Sequence, residues 1–560
     1  MLGNSKSGRR FDLTIRNGRV VDGAGNTWFR ADIGIEGGKI AKIGNVSSPE
    51  GRRAIDARGM VVCPGFIDIH QHSDTTLLIN PKCESMVRQG VTTQVVGNCG
   101  LSCAPVSDAT RDLLEGFLFG FMPKTKIDWH TFGEYLNRLE QRGVATNVAA
   151  LVGHGAVRIA VLGSANRLPT ANELGEMKRL VASAMEDGAF GMSTGLGYAP
   201  GMFSDTNEII ELTEVVARHG GLYATHVRNE ATGLAWEKSV REAIETAEKT
   251  GVRLQVSHIE SHYPNWRKQE GILKMLEDAR ATGVDVTTDV PPYLCGYTTV
   301  AQLLPDWALA GGRPRILGRL GHPETRDRIR KWLPTASGAQ PQPAVRMVAD
   351  GLANKIWVGD SKKNPDLVGA SLAEIGELRA RHPFDAALDL ILEEEGLFPI
   401  MCELHLEDDI RKVVEHPLSM IGSDGYACAP YGTLAEAKPH PRNYGVFPHT
   451  FTKYVRGDTR KEEPKEVGER LITLEEAVRK MTSFPAQKLG LRDRGLIREG
   501  MAADIVIFDP ERIEDLATYA NPHQYPKGIP YVLVNGLLVV EDGEHIGTVA
   551  GKVLRSSAAL

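Results

Sequence analysis

From Phe11 to Gly44 apolar and polar positions alternate between glycine pairs, first in "FDLTIRNGRVVDG" and then in "ADIGIEGGKIAKIG". A period of two interrupted by "NG" and "GG" predicts antiparallel hairpins. The same texture returns late in the chain, in "ADIVIFDPE" and "YVLVNGLLVVEDGE". Residues 1–62 and 481–560 therefore read as two halves of one small β-sandwich, with a long insertion between them.

The insertion, residues 63–480, has another rhythm. Short apolar runs recur, each ending in a polar residue: "MVVCPGFIDIH", "VTTQVVGNC", "VAALVGHG", "GAFGMSTG", "GGLYATH", "GVRLQVSH", "GVDVTTD" and, late, "LSMIGSD". Amphipathic segments such as "TANELGEMKRLVASAMEDG" and "WEKSVREAIETAEKTG" lie between them. Near-continuous apolar strands alternating with helices predict a parallel sheet covered by helices. Eight of them predict an α/β fold of the closed (β/α)8 kind. The interval 303–417 is too long for one strand–helix unit. It contains "PTASGAQPQPAV", which reads as an exposed loop, and "SLAEIGELRARH", which reads as helical, and is expected to be an excursion able to lid the barrel mouth.

Composition narrows the function classes. The 560 residues carry a net charge of −6 with no long single-sign block, which argues against a nucleic-acid groove or a polybasic membrane patch. The basic start "MLGNSKSGRR" has no apolar core behind it, and no stretch approaches the roughly 18 apolar residues of a membrane span. Seven cysteines scattered from Cys63 to Cys428 do not form a disulfide framework. A cytoplasmic protein acting on a small molecule is expected, and assembly with like chains stays open.

Barrel active sites lie at the C-terminal strand ends. The residues there are His70, His72, Cys99, His154, Ser193, His226, His258, Asp289 and Asp424. Taken singly, a histidine after an apolar run is ordinarily a core or rim residue, and a lone cysteine a small hydrophobe. Several zinc-ligand types landing at the same point of successive strands is hard to obtain from packing alone. His70 and His72 suit a metal because alternate residues leaving a strand face the same way. Cys99 and Cys103 have no second pair at structural-zinc spacing. His154, among glycines, reads as structural, and Asp289 is divided between supporting the site and capping a loop.

At this point the chain resembles the amidohydrolase superfamily and, within it, the D-aminoacylase (N-acyl-D-amino-acid deacylase) family. The resemblance is carried by "VVCPGFIDIHQHSD", "GVTTQVVGNCGLS", "GHGAVR", "FGMSTGLGYAPG", "ATHVRNE", "VSHIES", "MIGSDG", "KPHPRNYGVFP", "MTSFPAQKLGL" and "GLIREGMAADIVIFDP". It implies a (β/α)8 barrel flanked by a β-sandwich. It implies one firmly bound Zn²⁺ on Cys99, His226 and His258, and a second, weaker position on His70, His72 and Asp424. Cys99 then stands where many relatives outside the family use a carbamylated lysine. Asp424 would take a proton from the metal-bound water and return it to the leaving nitrogen.

The substrate-reading half departs from the family. Its members typically carry "SHHK" after the sixth strand, whereas this chain has "SHIE", with Glu260 in the place of lysine. A buried glutamate would repel a substrate carboxylate and favour a neutral or cationic group. Arg228 is a candidate carboxylate partner, and Tyr198 and Tyr293 resemble pocket positions. A deacylase or an amidase with a shifted substrate is expected. A cyclic-amide hydrolase of the hydantoinase or dihydroorotase type is the alternative, followed by a zinc deaminase.

Overall fold

The computed structural model describes all residues except 1–10, 47–52, 119, 121, 229–232, 336–341, 459–469 and 557–560. Eight parallel strands form the centre: Phe66–Asp68, Val91–Val96, Asn147–Ala150 continued by Val152–Gly153, Gly191–Gly195, Leu222–His226, Arg253–Val256, Val286–Val290 and Ser419–Ile421. The circle closes where Gln71 pairs with Gly425 and the Asp424 amide donates to the His70 carbonyl at 2.9 Å. Each strand is buried along nearly its whole length, as a sheet covered on both faces requires. The segments read as amphipathic are helices. Ala171–Glu186 starts with a capping box in which Thr170 accepts from the Glu173 amide and Glu173 accepts from Thr170, satisfying two otherwise unpaired donors.

Both chain ends build one nine-stranded sheet, in which Val61–Pro64 sits between Leu13–Val20 and Ile505–Phe508. Alternation works on both faces here. Ile505 and Ile507 join Ile15, Ile33 and Val62 inside the folded sheet, while Val506 and Phe508 join Val61 and Cys63 against the barrel. Two local readings differ from the expectation. "NG" at Asn17–Gly18 is not a turn but a bulge inside the first strand, where Asn17 takes φ of 61°. The run "MVVCPGFIDIH" is two strands, cut at Gly65, where a Cβ would sit 2.1 Å from the Thr92 hydroxyl.

Between the seventh and eighth barrel strands the chain forms a three-stranded antiparallel sheet: Cys295–Thr299, Pro399–Glu403 and Ile356–Val358. It has its own apolar core, including Val300, Leu303, Phe384, Leu388 and Ile400. "SLAEIGELRARH" supplies a helix, Leu372–Leu378, capped by Ser371. Half of the expected loop "PTASGAQPQPAV", residues 336–341, lies outside the described residues, and its two ends belong to the helices Pro323–Thr335 and Pro343–Ala349. Among the described residues no helix is long and apolar enough to cross a membrane.

Candidate metal centre

Where the first strand ends, the two-residue period turns His70 and His72 into the mouth. Gln71 turns the other way and donates to Asp68 at 2.5 Å and to Ser423 at 2.8 Å. That polar lock fixes the strand end against the eighth strand, whose extension carries Asp424. Cys99 follows the second strand in a left-handed turn with φ of 51°. The turn is held by Gly100, whose amide donates to the Ser193 hydroxyl at 2.9 Å. His226 is the last residue of the fifth strand, and His258 lies just beyond the sixth. Cys99, His258 (φ 34°) and Asp424 (φ 49°) all occupy a backbone region that costs non-glycine residues energy. Three such outliers converging on one spot mark a site whose side-chain directions are imposed by the surrounding fold.

The six candidate donors come together around one thiol. Cys99 Sγ is 3.3 Å from His70 Nε2 and 3.6 Å from His258 Nε2, and His226 Nδ1 is 2.8 Å from His258 Nε2. Asp424 Oδ1 stands 2.9 Å from His72 Nε2 and 3.3 Å from His70 Nε2. Two overlapping groups result, His70–His72–Cys99–Asp424 and Cys99–His226–His258, each with its ligand atoms within 4.8 Å of one another. Ligands about 2.0–2.3 Å from a tetrahedral zinc are separated by roughly 3.3–3.6 Å, which the spacings from Cys99 to His70 and His258 match, whereas the 2.8 Å between His226 and His258 is shorter. The donor chemistry, one thiol and two imidazoles, is that of zinc.

Electrostatics favour the same use. Burial pushes His258 down to about 4 and His226 well below the ordinary histidine range, so both are neutral bases ready to coordinate. Burial raises the Cys99 thiol to about 11, with His70 pulling the other way, so taking up a metal there would release a proton. Burial also raises Asp424, but the Arg442 guanidinium, the hydrogen bond with His72 and the neighbouring histidines outweigh it. They hold the carboxyl well below the usual range.

Two supporting residues become visible only in three dimensions. Arg442 Nη1 is 2.7 Å from Asp424 Oδ2 and ties the eighth-strand carboxylate to the "KPHPRNYG" segment. The segment stands out in the sequence, but nothing in its pattern marks Arg442 as the partner of Asp424. Asp289, which the sequence left divided, faces the site. Its Oδ1 lies 3.1 Å from His70 Nδ1 and accepts from the His258 amide at 3.0 Å, while Oδ2 accepts from Gln255 at 2.7 Å.

The other candidates have different surroundings. The Tyr198 ring lies 4.7 Å from that of His226. Arg228 is ion-paired with Glu242 at 3.1 Å and donates to the Met202 carbonyl. Glu260 is buried, with Oε1 3.7 Å from His405 Nε2, in a cluster where His262 meets His405 edge-on. Tyr293 stacks on His449 and donates to Asp515 at 3.1 Å. His154 is held in a buried network with Glu208 and Arg158, as its structural reading implied. Ser193 supports the Cys99 turn.

A cleft of ≈ 1140 Å³ opens beside Tyr198 and Gly197, between the barrel and the 295–403 segment. Gly197 is required at its inner end, because a Cβ there would stand 2.8 Å from His226 Nε2.

Comparison with known proteins accords with this geometry. Residues 53–540 match the Amidohydrolase family profile. The chain is 34% identical over 554 residues to N-acyl-D-glutamate deacylase of Alcaligenes xylosoxydans xylosoxydans, covering 98% of each chain. It is also 34% identical over 559 residues to the D-aminoacylase of the same organism, again covering 98% of each. The crystal structure of N-acyl-D-glutamate deacylase from Bordetella bronchiseptica, complexed with zinc and a phosphonate mimic of the tetrahedral intermediate, superposes with a TM-score of 0.78. That match has 32% identity and covers 98% of this chain and 100% of the other. The chain belongs to the Amidohydrolase family.

Proposed function

We propose that this chain is a zinc-dependent deacylase that hydrolyses the linear amide of N-acyl-D-amino acids or of closely related amides. The observation that carries the reading is the convergence of Cys99, His226 and His258 beside an ionised Asp424 at the C-terminal end of a closed barrel. Zinc held by these three residues would lower the pKa of a water toward about 7 and polarise the amide carbonyl. Asp424 accepts the water's proton through a carboxylate oxygen and delivers it to the leaving nitrogen, without which an amide nitrogen departs poorly. Arg442 and His72 hold that carboxylate in place from either side. Asp289 fixes the ring of His70 and the backbone of His258 together. His70 and His72 with Asp424 form the weaker second metal position.

Linear-amide deacylases match over the full chain length, which favours this reading over a cyclic-amide hydrolase or a deaminase. Seven buried, unpaired cysteines support residence in a reducing compartment such as the cytoplasm. The test is hydrolysis of both enantiomers of a panel of N-acyl amino acids, with zinc measured on the same sample. Turnover of D-substrates that disappears on chelation and returns with zinc is expected. Turnover indifferent to chelation would overturn the reading.

A further inference from the structure

The segment "KPHPRNYG" follows the eighth strand, and the metal centre uses only its Arg442. His440 stands there between two prolines, Pro439 and Pro441. Each proline fixes its own φ at about −65° and lacks an N–H, so the segment is stiff but short of donors to hold it in place. The buried His440 ring supplies the hold. Its Nδ1 accepts from the Arg442 amide at 3.0 Å, and its Nε2 is 2.9 Å from the Cys295 carbonyl. A ring nitrogen that accepts from an amide carries no proton, so the proton is on Nε2 and is donated to that carbonyl. Burial, helped by the Arg442 charge, holds the ring well below the ordinary histidine range and keeps it neutral. Tyr293 and Tyr519 stand edge-on to the ring at 5.1 Å and 5.2 Å.

Three parts of the chain meet on this ring. Arg442 opens the helix Arg442–Thr450, and its amide is one of the donors that a helix start leaves without an internal partner. Cys295 is the first residue of the strand Cys295–Thr299, where the 295–403 segment leaves the barrel. Its own amide donates at 3.2 Å to the hydroxyl of Tyr519, from the C-terminal part of the chain. The placement of Arg442 aims its guanidinium at Asp424 Oδ2, 2.7 Å away. We infer that His440 is a positioning residue for the proton step, an inference that rests on the deacylase reading proposed above. Through Nδ1 it fixes the backbone of Arg442 and so steadies the Asp424 carboxylate. Through Nε2 it ties both to the first residue of the 295–403 segment. Its effect passes through Arg442.

The test uses the zinc-loaded full chain, with kcat and KM measured on the best substrate of the N-acyl-D-amino-acid panel. Affinity for a second zinc equivalent is measured on the same proteins by competition with a chelator. His440→Leu removes both ring bonds. His440→Asn keeps an acceptor for the amide two residues on, whereas His440→Gln reaches toward the Cys295 carbonyl without that acceptor. His440→Leu should lower kcat about tenfold, the scale of one buried amide left without its acceptor, with KM unchanged. It should also tighten the second zinc, as Arg442→Met does. His440→Asn should restore both readouts toward wild type. His440→Gln should behave as His440→Leu and takes its place if that variant does not fold. In an Arg442→Met background His440→Leu should lower kcat no further, because residues that act through one another do not add. Losses that multiply in the double variant, or a His440→Asn variant as impaired as His440→Leu, overturn the inference and leave the deacylase reading intact. If no N-acyl amino acid is cleaved, the deacylase reading fails and the second zinc decides. Tightening by His440→Leu that His440→Asn reverses sustains the link to Arg442, and an unmoved affinity removes it.

Discussion

The two donor groups at the mouth share Cys99 but differ in what else holds them. In the group of His70, His72 and Asp424, protein partners already neutralise the charge. Arg442 is paired with the carboxylate at 2.7 Å, and Asp289 stands 3.1 Å from His70. In the group of Cys99, His226 and His258, burial has produced neutral imidazoles beside a thiol, a set that a dication completes. Placing a metal in the first group means competing with a guanidinium at close range, whereas in the second the metal supplies the missing positive charge. The difference supports the proposed division, with the zinc on one group and the moving proton on the other.

The sharpest way to break this division is to remove the proton carrier without touching the thiol group. Asp424→Asn should retain zinc and lose about 10²–10⁴-fold in kcat, read by steady-state kinetics with metal analysis on the same protein. Substantial remaining turnover would sink the role. Next in size is Asp289→Asn, which loosens His70 and the backbone of His258 together. Zinc affinity, measured by competition with a chelator, should fall about 10–100-fold. Arg442→Met should make the carboxylate group a better metal site. Binding of a second zinc equivalent should tighten by about tenfold, because the carboxylate no longer shares its charge with the guanidinium. An unchanged second affinity would show that Arg442 is not what keeps metal out. Smallest is Ser193→Ala, which strips the acceptor from the Gly100 amide under the Cys99 turn. A loss of about 1–3 kcal/mol is expected, seen as a lowered thermal midpoint.

Much of the barrel was legible because its strands are buried on both faces and therefore read as unbroken apolar runs, each ending in a residue at the mouth. Periodicity could not show that "MVVCPGFIDIH" serves two sheets. The cut at Gly65 is set by the Thr92 side chain, contributed by the next barrel strand. Nor could it tell a bulge from a turn at Asn17–Gly18, since both need the same left-handed residue. The donors at the strand ends were visible as residue types. Arg442 and Asp289 were not assigned, because their roles depend on contacts with His70 and Asp424 made across the closed barrel. Glu260 shows the opposite case: its chemistry stood out in the sequence, and the fold sets it beside His405 and His262, away from the cleft walls.

Zinc content per chain in wild type, Cys99→Ala and His72→Ala, each purified without chelator and checked for an unchanged circular dichroism spectrum, tests the division most directly. One equivalent is expected in wild type and in His72→Ala, and none in Cys99→Ala. A full equivalent in Cys99→Ala together with loss in His72→Ala would place the firmly held ion on the other group and contradict it.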